Sequence, residues 1–272
     1  MTVPIVAKPR TAEIAAVVVA NDAVNAEYRG LVLSCGAPAT EAQPGQFFQL
    51  LCPASDAAPF LRRPMSVYCS DPVVGRVEFL YKITGLGTRG LATLRAGDLA
   101  NIFGPLGNGF RIDSTARHIM IVGRGVGLAT LAPVAVAARA RGIRVTAILS
   151  ARTDEFVMSE AMLAEIGAET IVVTDATGSS EVANVERLVR TLVAEAGIDT
   201  FYTCGSNRLM LLLQRIAAEY HVRGEVALEQ QMACGLGMCY CCVREIRSPQ
   251  GIAHRRVCWD GPVFDLAEAL PW

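Results

Sequence analysis

The strongest constraint on what this chain can fold into is a group of cysteines near its C-terminal end. Cys234, Cys239 and Cys242 follow the pattern C-x4-C-x2-C, and Cys258 lies further along the chain. This is the plant-type spacing of a [2Fe–2S] cluster, which takes four thiolate ligands. Two glycines between the first two cysteines allow positive φ angles and a close approach of the backbone to an inorganic group. The pattern therefore predicts an iron–sulfur site.

A zinc site and a loose group of buried cysteines are the alternative interpretations. Zinc sites usually combine a C-x2–4-C pair with a distant second pair, so three cysteines in one loop favour the cluster. The histidines His118, His221 and His254 have no metal-ligand spacing and are expected to be ordinary surface or strand residues. The cysteines outside the group lie in apolar surroundings and are predicted core residues: Cys35, Cys52, Cys69 and Cys204.

Composition narrows the class of protein further. The chain has 272 residues, 52% of them hydrophobic, and a formal net charge of −1. That length predicts two domains, or two and a small appendage. The balanced charge predicts no nucleic-acid partner, and no apolar run is long enough to span a bilayer. Residues 1–10 lack the pattern of a secretory signal, so we expect reduced thiols in a cytoplasmic protein.

The N-terminal part of the sequence contains short runs rich in β-branched residues, separated by turn residues. Regularly punctuated short strands are typical of a β-barrel or sandwich. The glycine-rich segment 104–110 is predicted to be the connection that closes this part. We predict strands at 14–20, 28–34, 46–52, 65–69, 76–82 and 98–103, and a short helix at 88–94.

Two segments of this part carry groups suited to flavin or phosphate binding. The Arg63 guanidinium can fork onto a phosphate, and the Ser66 hydroxyl can bond a flavin edge or a phosphate. Further along, a glycine-rich turn leads to Thr88 at a predicted helix start, where backbone N–H groups form an anion site. Each segment alone is also typical of an ordinary surface loop or a strand–turn–helix joint.

In the middle of the chain the pattern changes to strands that alternate with helices. Such alternation indicates a parallel sheet with helices on both faces, and apolar strands are expected there. We predict strands at 118–122, 144–150, 170–174 and 200–204, and helices at 128–141, 159–166, 182–196 and 206–220.

Ligands bind such sheets beyond the carboxyl ends of the strands. Gly123, Gly125 and Gly127 follow the first strand as G-x-G-x-G, which differs from the dinucleotide fingerprint but still lets a pyrophosphate approach backbone donors. Arg124 either supplies charge for a phosphate or obstructs the place of a nucleotide. Arg152, after the second strand, suits an adenosine phosphate or is a solvated side chain.

Taken together, these segments resemble the electron-transfer subunits of class 1B dihydroorotate dehydrogenases, within the ferredoxin–NADP reductase superfamily. The resemblance covers nearly the whole chain, in order. Its most specific marks are the cysteine loop and the segment Val-Cys-Trp-Asp-Gly-Pro-Val-Phe at 257–264. Further marks lie at 44–47, 61–66, 85–88, 104–110, 125–127 and 204–205.

The resemblance implies an FAD-binding β-barrel at 1–112, a nucleotide-binding parallel α/β domain at 113–225 and a [2Fe–2S] domain at 226–272. It implies electron relay between NAD(P)(H), FAD and the cluster, to or from a catalytic FMN subunit, commonly in a heterotetramer of pyrimidine biosynthesis. The implied FAD contacts are Arg63, Pro64, Met65, Ser66, Leu80, Tyr81, Lys82, Gly87 and Thr88. The implied cluster ligands are Cys234, Cys239, Cys242 and Cys258, and the implied NAD or NADP loop contains Gly123, Gly125 and Gly127.

Cys241 has no ligand counterpart, and no catalytic side chain is implied, because the redox chemistry belongs to the cofactors. Three segments at the nucleotide edge depart from the family pattern. Arg124 replaces the middle of three glycines, Ser206 replaces a proline, and 175–180 replaces an Asp-Gly-Ser loop. Two further hypotheses therefore stay open: a reductase arm for another oxidoreductase or a ferredoxin, and a redox sensor or scaffold with a decayed nucleotide site.

Overall fold

The structure is a computed structural model that describes residues 10–53 and 59–271. Its N-terminal part is a curled antiparallel sheet, a half-barrel with the strand order β4-β3-β7-β1-β2-β6-β5. The predicted all-β first part is therefore confirmed. Its elements are β1 (Ala12–Ala23), β2 (Tyr28–Ser34), β3 (Phe47–Leu50), β4 (Arg63–Ser66), β5 (Cys69–Asp71), β6 (Arg76–Lys82), α1 (Leu86–Leu91) and β7 (Leu99–Leu106).

The two faces of β3 contact different parts of the molecule. Phe48 and Leu50 point into the half-barrel core, where the rings of Phe48 and Phe79 meet edge-on with centroids 5.5 Å apart. Phe47 belongs to the core that the C-terminal segment shares. Because successive side chains of a strand point to opposite faces, Gln49 lies on the same side as Phe47.

The prediction of one strand at 65–69 is wrong, because two strands occupy this region. β4 pairs with β3, whereas β5 pairs with β6. Between them, Val67 N–H donates to Gln46 O at 2.9 Å and Tyr68 N–H donates to Glu78 O at 2.8 Å. The chain thus changes its partner strand across a bend at Tyr68, which hydrophobic periodicity does not reveal.

The middle of the chain forms a second sheet with the order β10-β9-β8-β11-β12-β15. β8 to β11 are mutually parallel, as predicted, and β12, which was not predicted, adds a further parallel strand beside β11. The first six residues of β8 are buried. Helices are packed against this sheet. The elements are β8 (His118–Arg124), α2 (Gly127–Arg139), β9 (Arg144–Ala151), α3 (Glu160–Glu165), β10 (Glu169–Thr174), α4 (Val182–Ala196), β11 (Thr200–Cys204), α5 (Asn207–Tyr220) and β12 (Arg223–Ala227).

The C-terminal segment leaves this sheet and returns to it. After the cysteine loop come a hairpin, β13 (Val243–Ser248) and β14 (Gly251–Arg256), and then β15 (Val263–Asp265), which pairs antiparallel with β12. The predicted domain limits at 112 and 225 stay predictions, and residues 1–9, 54–58 and 272 of those domains lie outside the described residues. In the described part of the chain, no helix is long and apolar enough to cross a membrane.

The segment 104–110 is only partly the predicted connection, because its residues up to Leu106 belong to β7. Beyond the strand, Asn108 N–H donates to Gly261 O, and its amide donates to Asp260 O at 2.9 Å. These bonds attach the end of the half-barrel to the C-terminal segment. The linker therefore positions the cysteine loop as well as joining two sheets.

Candidate functional site

A cleft of about 370 Å³ lies between the half-barrel, the start of α2 and the segment leading to the cysteine loop. All the predicted FAD contacts except Gly87 line it. The barrel side contains Phe47, Arg63, Pro64, Met65, Ser66, Leu80, Tyr81, Lys82, Thr84 and Thr88. The facing side contains Val126, Ala129, Thr130, Leu228, Glu229, Gln230, Met232 and Pro262. A larger hollow of about 530 Å³ beside Asn21 and Arg29 contains none of the predicted site residues.

One end of the cleft carries donors suited to phosphate. A Cβ on Gly87 would lie 2.6 Å from Arg63 Nε and 3.0 Å from Cys52 Sγ, so glycine lets the start of α1 approach the guanidinium. Thr88 Oγ1 accepts a hydrogen bond from Thr84 N–H at 2.8 Å, which fixes the turn before the helix. Gly87 therefore does not line the cleft itself, but its missing side chain leaves space for the Arg63 guanidinium. Arg63 and this turn together fit a diphosphate group.

Lys82 and Arg152 are both paired with Glu27. Lys82 Nζ lies 2.7 Å from Glu27 Oε2, and an Arg152 guanidinium nitrogen lies 2.6 Å from Glu27 Oε1. Hydrogen bonds from Lys82 and then Arg152 lower the pKa of Glu27. Arg152 therefore connects the second sheet to the half-barrel, and it is not free for an adenosine phosphate.

The four predicted cluster ligands form two pairs. Cys242 and Cys258 are 2% and 1% exposed, and their sulfurs lie 3.2 Å apart. Cys239 is exposed, and its backbone and side chain hydrogen-bond to Cys234. Cys241 is exposed and belongs to neither pair. Two pairs of thiols suit a two-iron centre with four cysteine ligands.

Backbone amides of the loop point at the ligand sulfurs. Leu236 N–H lies 3.3 Å from Cys234 Sγ, Gly237 N–H lies 3.2 Å from Cys258 Sγ, and Cys258 N–H lies 3.4 Å from Cys242 Sγ. Burial opposes ionisation of Cys234, but hydrogen bonds from Leu236 and Cys239 outweigh it and lower the pKa to about 7. Burial, together with the Cys242 thiol, raises the pKa of Cys258 to about 12. Amide donors of this kind stabilise bound thiolates and tune a cluster.

The backbone of this loop has the positive φ angles that its glycines predicted. Gly235 and Gly237 have φ of +70° and +77°, and Tyr240 has φ of +57°. Within residues 10–53 and 59–271, no three His, Cys, Asp or Glu side chains converge on a single-ion site. Tetrahedral zinc requires four ligands around one point, so the paired arrangement fits the cluster better.

Arg124 is engaged at the nucleotide edge of the second sheet. Its guanidinium donates to Ser150 Oγ at 2.9 Å and to the two carboxylate oxygens of Asp175 at 3.1 and 2.6 Å. One side chain thus bridges the carboxyl ends of β8, β9 and β10. Arg124, then a hydrogen bond from Ser180, holds the pKa of Asp175 at about 2. Arg124 is therefore not a free cation in the nucleotide position.

The glycines of the predicted nucleotide loop have packing reasons. A Cβ on Gly123 would lie 2.6 Å from Leu128 Cδ2, and one on Gly127 would lie 2.5 Å from Cys204 O. Gly125 has φ of +54° and faces the Tyr28 hydroxyl. These glycines let β8, α2 and β11 pack closely. Their contact with a nucleotide stays a prediction.

Comparison with known proteins identifies the family. Residues 229–269 match the iron–sulfur cluster binding domain of dihydroorotate dehydrogenase B. The chain is 32% identical over 234 residues to the electron transfer subunit of dihydroorotate dehydrogenase B (NAD(+)) from Bacillus cereus strain Q1, covering 84% of this chain and 87% of that protein. A Bacillus anthracis relative of the same name shows the same identity and coverage. The chain belongs to this family.

Solved structures agree with the fold. A structure of NADH-dependent reduced ferredoxin-NADP oxidoreductase superposes with a TM-score of 0.78 at 27% identity, over 94% of this chain and 89% of that chain. Ferredoxin-NADP+ reductase from Plasmodium falciparum superposes with a TM-score of 0.60 at 11% identity, over 76% of this chain and 89% of that chain. The second likeness shows the fold alone.

Sequence reasoning missed the wall of the cleft opposite the half-barrel. Glu229, Gln230 and Met232 line the cleft, and they immediately precede the first cluster cysteine. Their position directly before the cysteine loop was the available signal. A chain segment that leads directly into a loop beside the cleft is a natural candidate for the wall of that cleft.

Proposed function

We propose that the chain is the electron-transfer subunit of a dihydroorotate dehydrogenase that passes electrons between NAD(H), FAD, a [2Fe–2S] cluster and a catalytic subunit. One observation carries this conclusion. The cleft has Met65 and Ser66 of the half-barrel on one side and Gln230 and Met232, just before the cysteine loop, on the other. The two cofactor sites therefore share a wall, which suits direct electron transfer between them.

The proposed FAD site consists of the cleft residues and the turn behind them. Arg63 and the turn at Gly87 and Thr88 hold the diphosphate, while Pro64, Met65, Ser66, Leu80, Tyr81 and Lys82 enclose the flavin. The buried, apolar side of the cleft excludes water from the ring. Bound FAD supplies the step between two-electron and one-electron transfer. The chain supplies position and environment for it.

The proposed cluster ligands are Cys234, Cys239, Cys242 and Cys258. The inner pair is buried against the core, whereas the outer pair faces solvent through the exposed Cys239. Large apolar side chains surround this outer side: Met238, Tyr240 and Trp259 are 79%, 64% and 51% exposed. An exposed apolar rim beside a redox centre is a docking surface for a partner. We assign it to the catalytic subunit.

The proposed nucleotide loop contains Gly123, Gly125 and Gly127 at the carboxyl end of β8, where ligands bind parallel sheets. The Arg124–Asp175 ion pair lies at the outer end of the same edge. The Asp175 carboxylate, which this pair fixes in place, suits the hydroxyls of an adenosine ribose as hydrogen-bond donors, whereas it would repel an added phosphate. We therefore propose NADH, rather than NADPH, as the nucleotide.

The test begins with anaerobically purified protein and its visible spectrum, with iron, sulfide and FAD analysis. We expect one FAD and two irons per chain, and bleaching of the flavin on mixing with NADH. Purification of the native complex is expected to recover an FMN-containing dihydroorotate dehydrogenase subunit. If neither NADH nor NADPH bleaches the flavin, the result contradicts the NAD(H) step and supports the decayed-site hypothesis.

Two neighbouring cysteines provide a matched pair for the ligand assignment. Cys239→Ser is expected to remove the [2Fe–2S] absorption while FAD stays bound, because the outer iron loses a thiolate. Cys241→Ser, also exposed and two residues away, is expected to leave the spectrum unchanged. Retained cluster absorption in the first variant, or loss in the second, would count against the assignment.

A second candidate function is a reductase arm for another oxidoreductase or a ferredoxin. The structural likeness to the ferredoxin-NADP oxidoreductase favours it, because that protein also spans nearly the whole chain. The native partner decides between the two. A partner without dihydroorotate-oxidising activity supports the reductase arm.

We propose a cytoplasmic location for the chain. All nine cysteines are free, including pairs in contact, which suits a reducing compartment. Fractionation with a tag at the C-terminus is expected to recover the chain with cytoplasmic markers, and recovery in an exported fraction would refute this.

A further inference from the structure

A buried amide lies against the cysteine loop without any hydrogen-bond partner. Gln49 is 1% exposed, and neither its Oε1 nor its Nε2 has a partner within hydrogen-bond distance in the described residues. Leaving a buried amide unpaired is destabilising, so such a group calls for a physical explanation. The explanation is either an unseen partner or a purely structural defect.

The position of Gln49 points to the cluster. A Cβ built on Gly235 would lie 3.1 Å from both Cγ and Nε2 of Gln49, so the amide packs directly on the residue after ligand Cys234. Gln49 lies on the same face of β3 as Phe47, which shares a core with Cys242 and Cys258. Its amide therefore lies at the side of the loop that encloses the cluster.

A glutamine just before β3 shows how a buried amide with a structural role is satisfied. Gln46 is also buried, at 3% exposed. Its Nε2 donates to Gly107 O at 3.0 Å, and its Oε1 accepts from Gln43 N–H at 2.9 Å. Both of its amide atoms are satisfied by backbone. Gln49, three residues further along, has neither kind of bond among the described residues.

We infer that Gln49 is a positioning and tuning residue of the cluster, whose amide N–H donates to a sulfur of the bound centre. Hydrogen bonds to the sulfurs are among the factors that set the potential of an iron–sulfur centre. The reduced centre carries more negative charge, so a donor stabilises it and raises the reduction potential. The inference rests on the cluster assignment made above.

The test is the reduction potential of the cluster in Gln49→Leu and Gln49→Met, which replace the amide by apolar groups of similar volume. An EPR-monitored redox titration of the holoprotein is expected to give a lower midpoint potential. The expected decrease is ~59 mV, which corresponds to a tenfold change in the equilibrium constant of a one-electron reduction. Iron content and the FAD potential are expected to stay unchanged. The matched variant Gln46→Leu is expected to lose stability but to keep the wild-type cluster potential.

A second measurement checks that the Gln49 amide lacks a partner when the cluster is absent. In cluster-free protein, Gln49→Leu is expected to unfold at a higher temperature than wild type, because the variant removes an unsatisfied amide. Intact cluster with an unchanged midpoint in both Gln49 variants would overturn the inference, whatever their stability. Absence of iron from the wild-type protein would instead overturn the cluster assignment.

Discussion

Gly237→Ala is the sharpest test of how the chain holds its cluster. Gly237 has φ of +77°, and its N–H donates to Cys258 Sγ at 3.2 Å. A Cβ at this position would lie 2.8 Å from Cβ and 2.9 Å from Cγ of Trp259. Both atoms are close to the backbone of Trp259, so a rotamer change does not relieve the clash.

The magnitude has two parts. A non-glycine residue in the left-handed region costs about 1–2 kcal/mol, and an added methyl in a closely packed site costs about 1–3 kcal/mol. The sum, about 2–5 kcal/mol, corresponds to roughly a thirtyfold or larger shift of the local equilibrium. Because the strained residue is bonded to a ligand sulfur and abuts the residue after Cys258, we expect the cost to appear as loss of the cluster.

Gly142→Ala is the matched control, because Gly142 has φ of +74° and a Cβ there meets nothing within 4 Å. The assay is iron and sulfide per FAD after anaerobic purification, followed by the rate of cluster loss to a chelator. We expect Gly237→Ala to lose its cluster while keeping FAD, and Gly142→Ala to keep both. Equal cluster retention in the two variants would refute the reasoning, because the clash of the added methyl group with Trp259 would then have no effect on the cluster.

Two further predictions concern titration and nucleotide choice. Burial raises the pKa of Glu225 from 4.5 to about 7, although a hydrogen bond from Arg111 N–H opposes the rise. The folded state therefore disfavours the carboxylate, and the free energy of unfolding falls as the pH rises from 4.5 to about 7. Glu225→Gln should be more stable than wild type at pH 8, by at most about 3 kcal/mol, and equal near pH 4.5; thermal unfolding at both pH values checks this, and a pH-independent difference contradicts it. Asp175→Asn should raise the NADPH/NADH ratio of kcat/KM about tenfold, because a fixed carboxylate near an adenosine ribose repels an added phosphate; an unchanged ratio places the ribose elsewhere.

Periodicity located most of the elements that build the two sheets. β2 and β6 begin and end where the sequence predicted, because each is an apolar run bounded by turn residues. The same reasoning missed β12, β13, β14 and β15. β14 has mostly exposed residues and little apolar alternation, and β15 contains three residues, Val263–Asp265, that are a strand only because β12 lies beside them.

The candidate site also has features that the sequence can predict and features that it cannot. Cysteine spacing predicts four ligands, because that spacing is set locally by a loop that surrounds a cluster, and the structure places these cysteines in two pairs. Partnership across the fold was not predictable. The bond from Arg124 to Asp175 joins residues far apart in sequence. Likewise, the packing of Gly235 against the Gln49 amide, which has no partner in the described part of the chain, depends on the tertiary fold. No local pattern contains either fact.

The path of the C-terminal segment explains why one chain can align the two cofactor sites. The segment starts at the end of β12, forms one wall of the cleft, surrounds the cluster position and returns through β15 to the same sheet. Asn108 bonds this segment to the end of the half-barrel, and Gln49 contacts it from β3. The loop is thus fixed to both sheets on its inner side, while Cys239 and its apolar rim face outward. A rigid inner side and an exposed outer side are what a relay needs, because transfer from the flavin would require a fixed distance and the partner would approach from the side of the exposed Cys239.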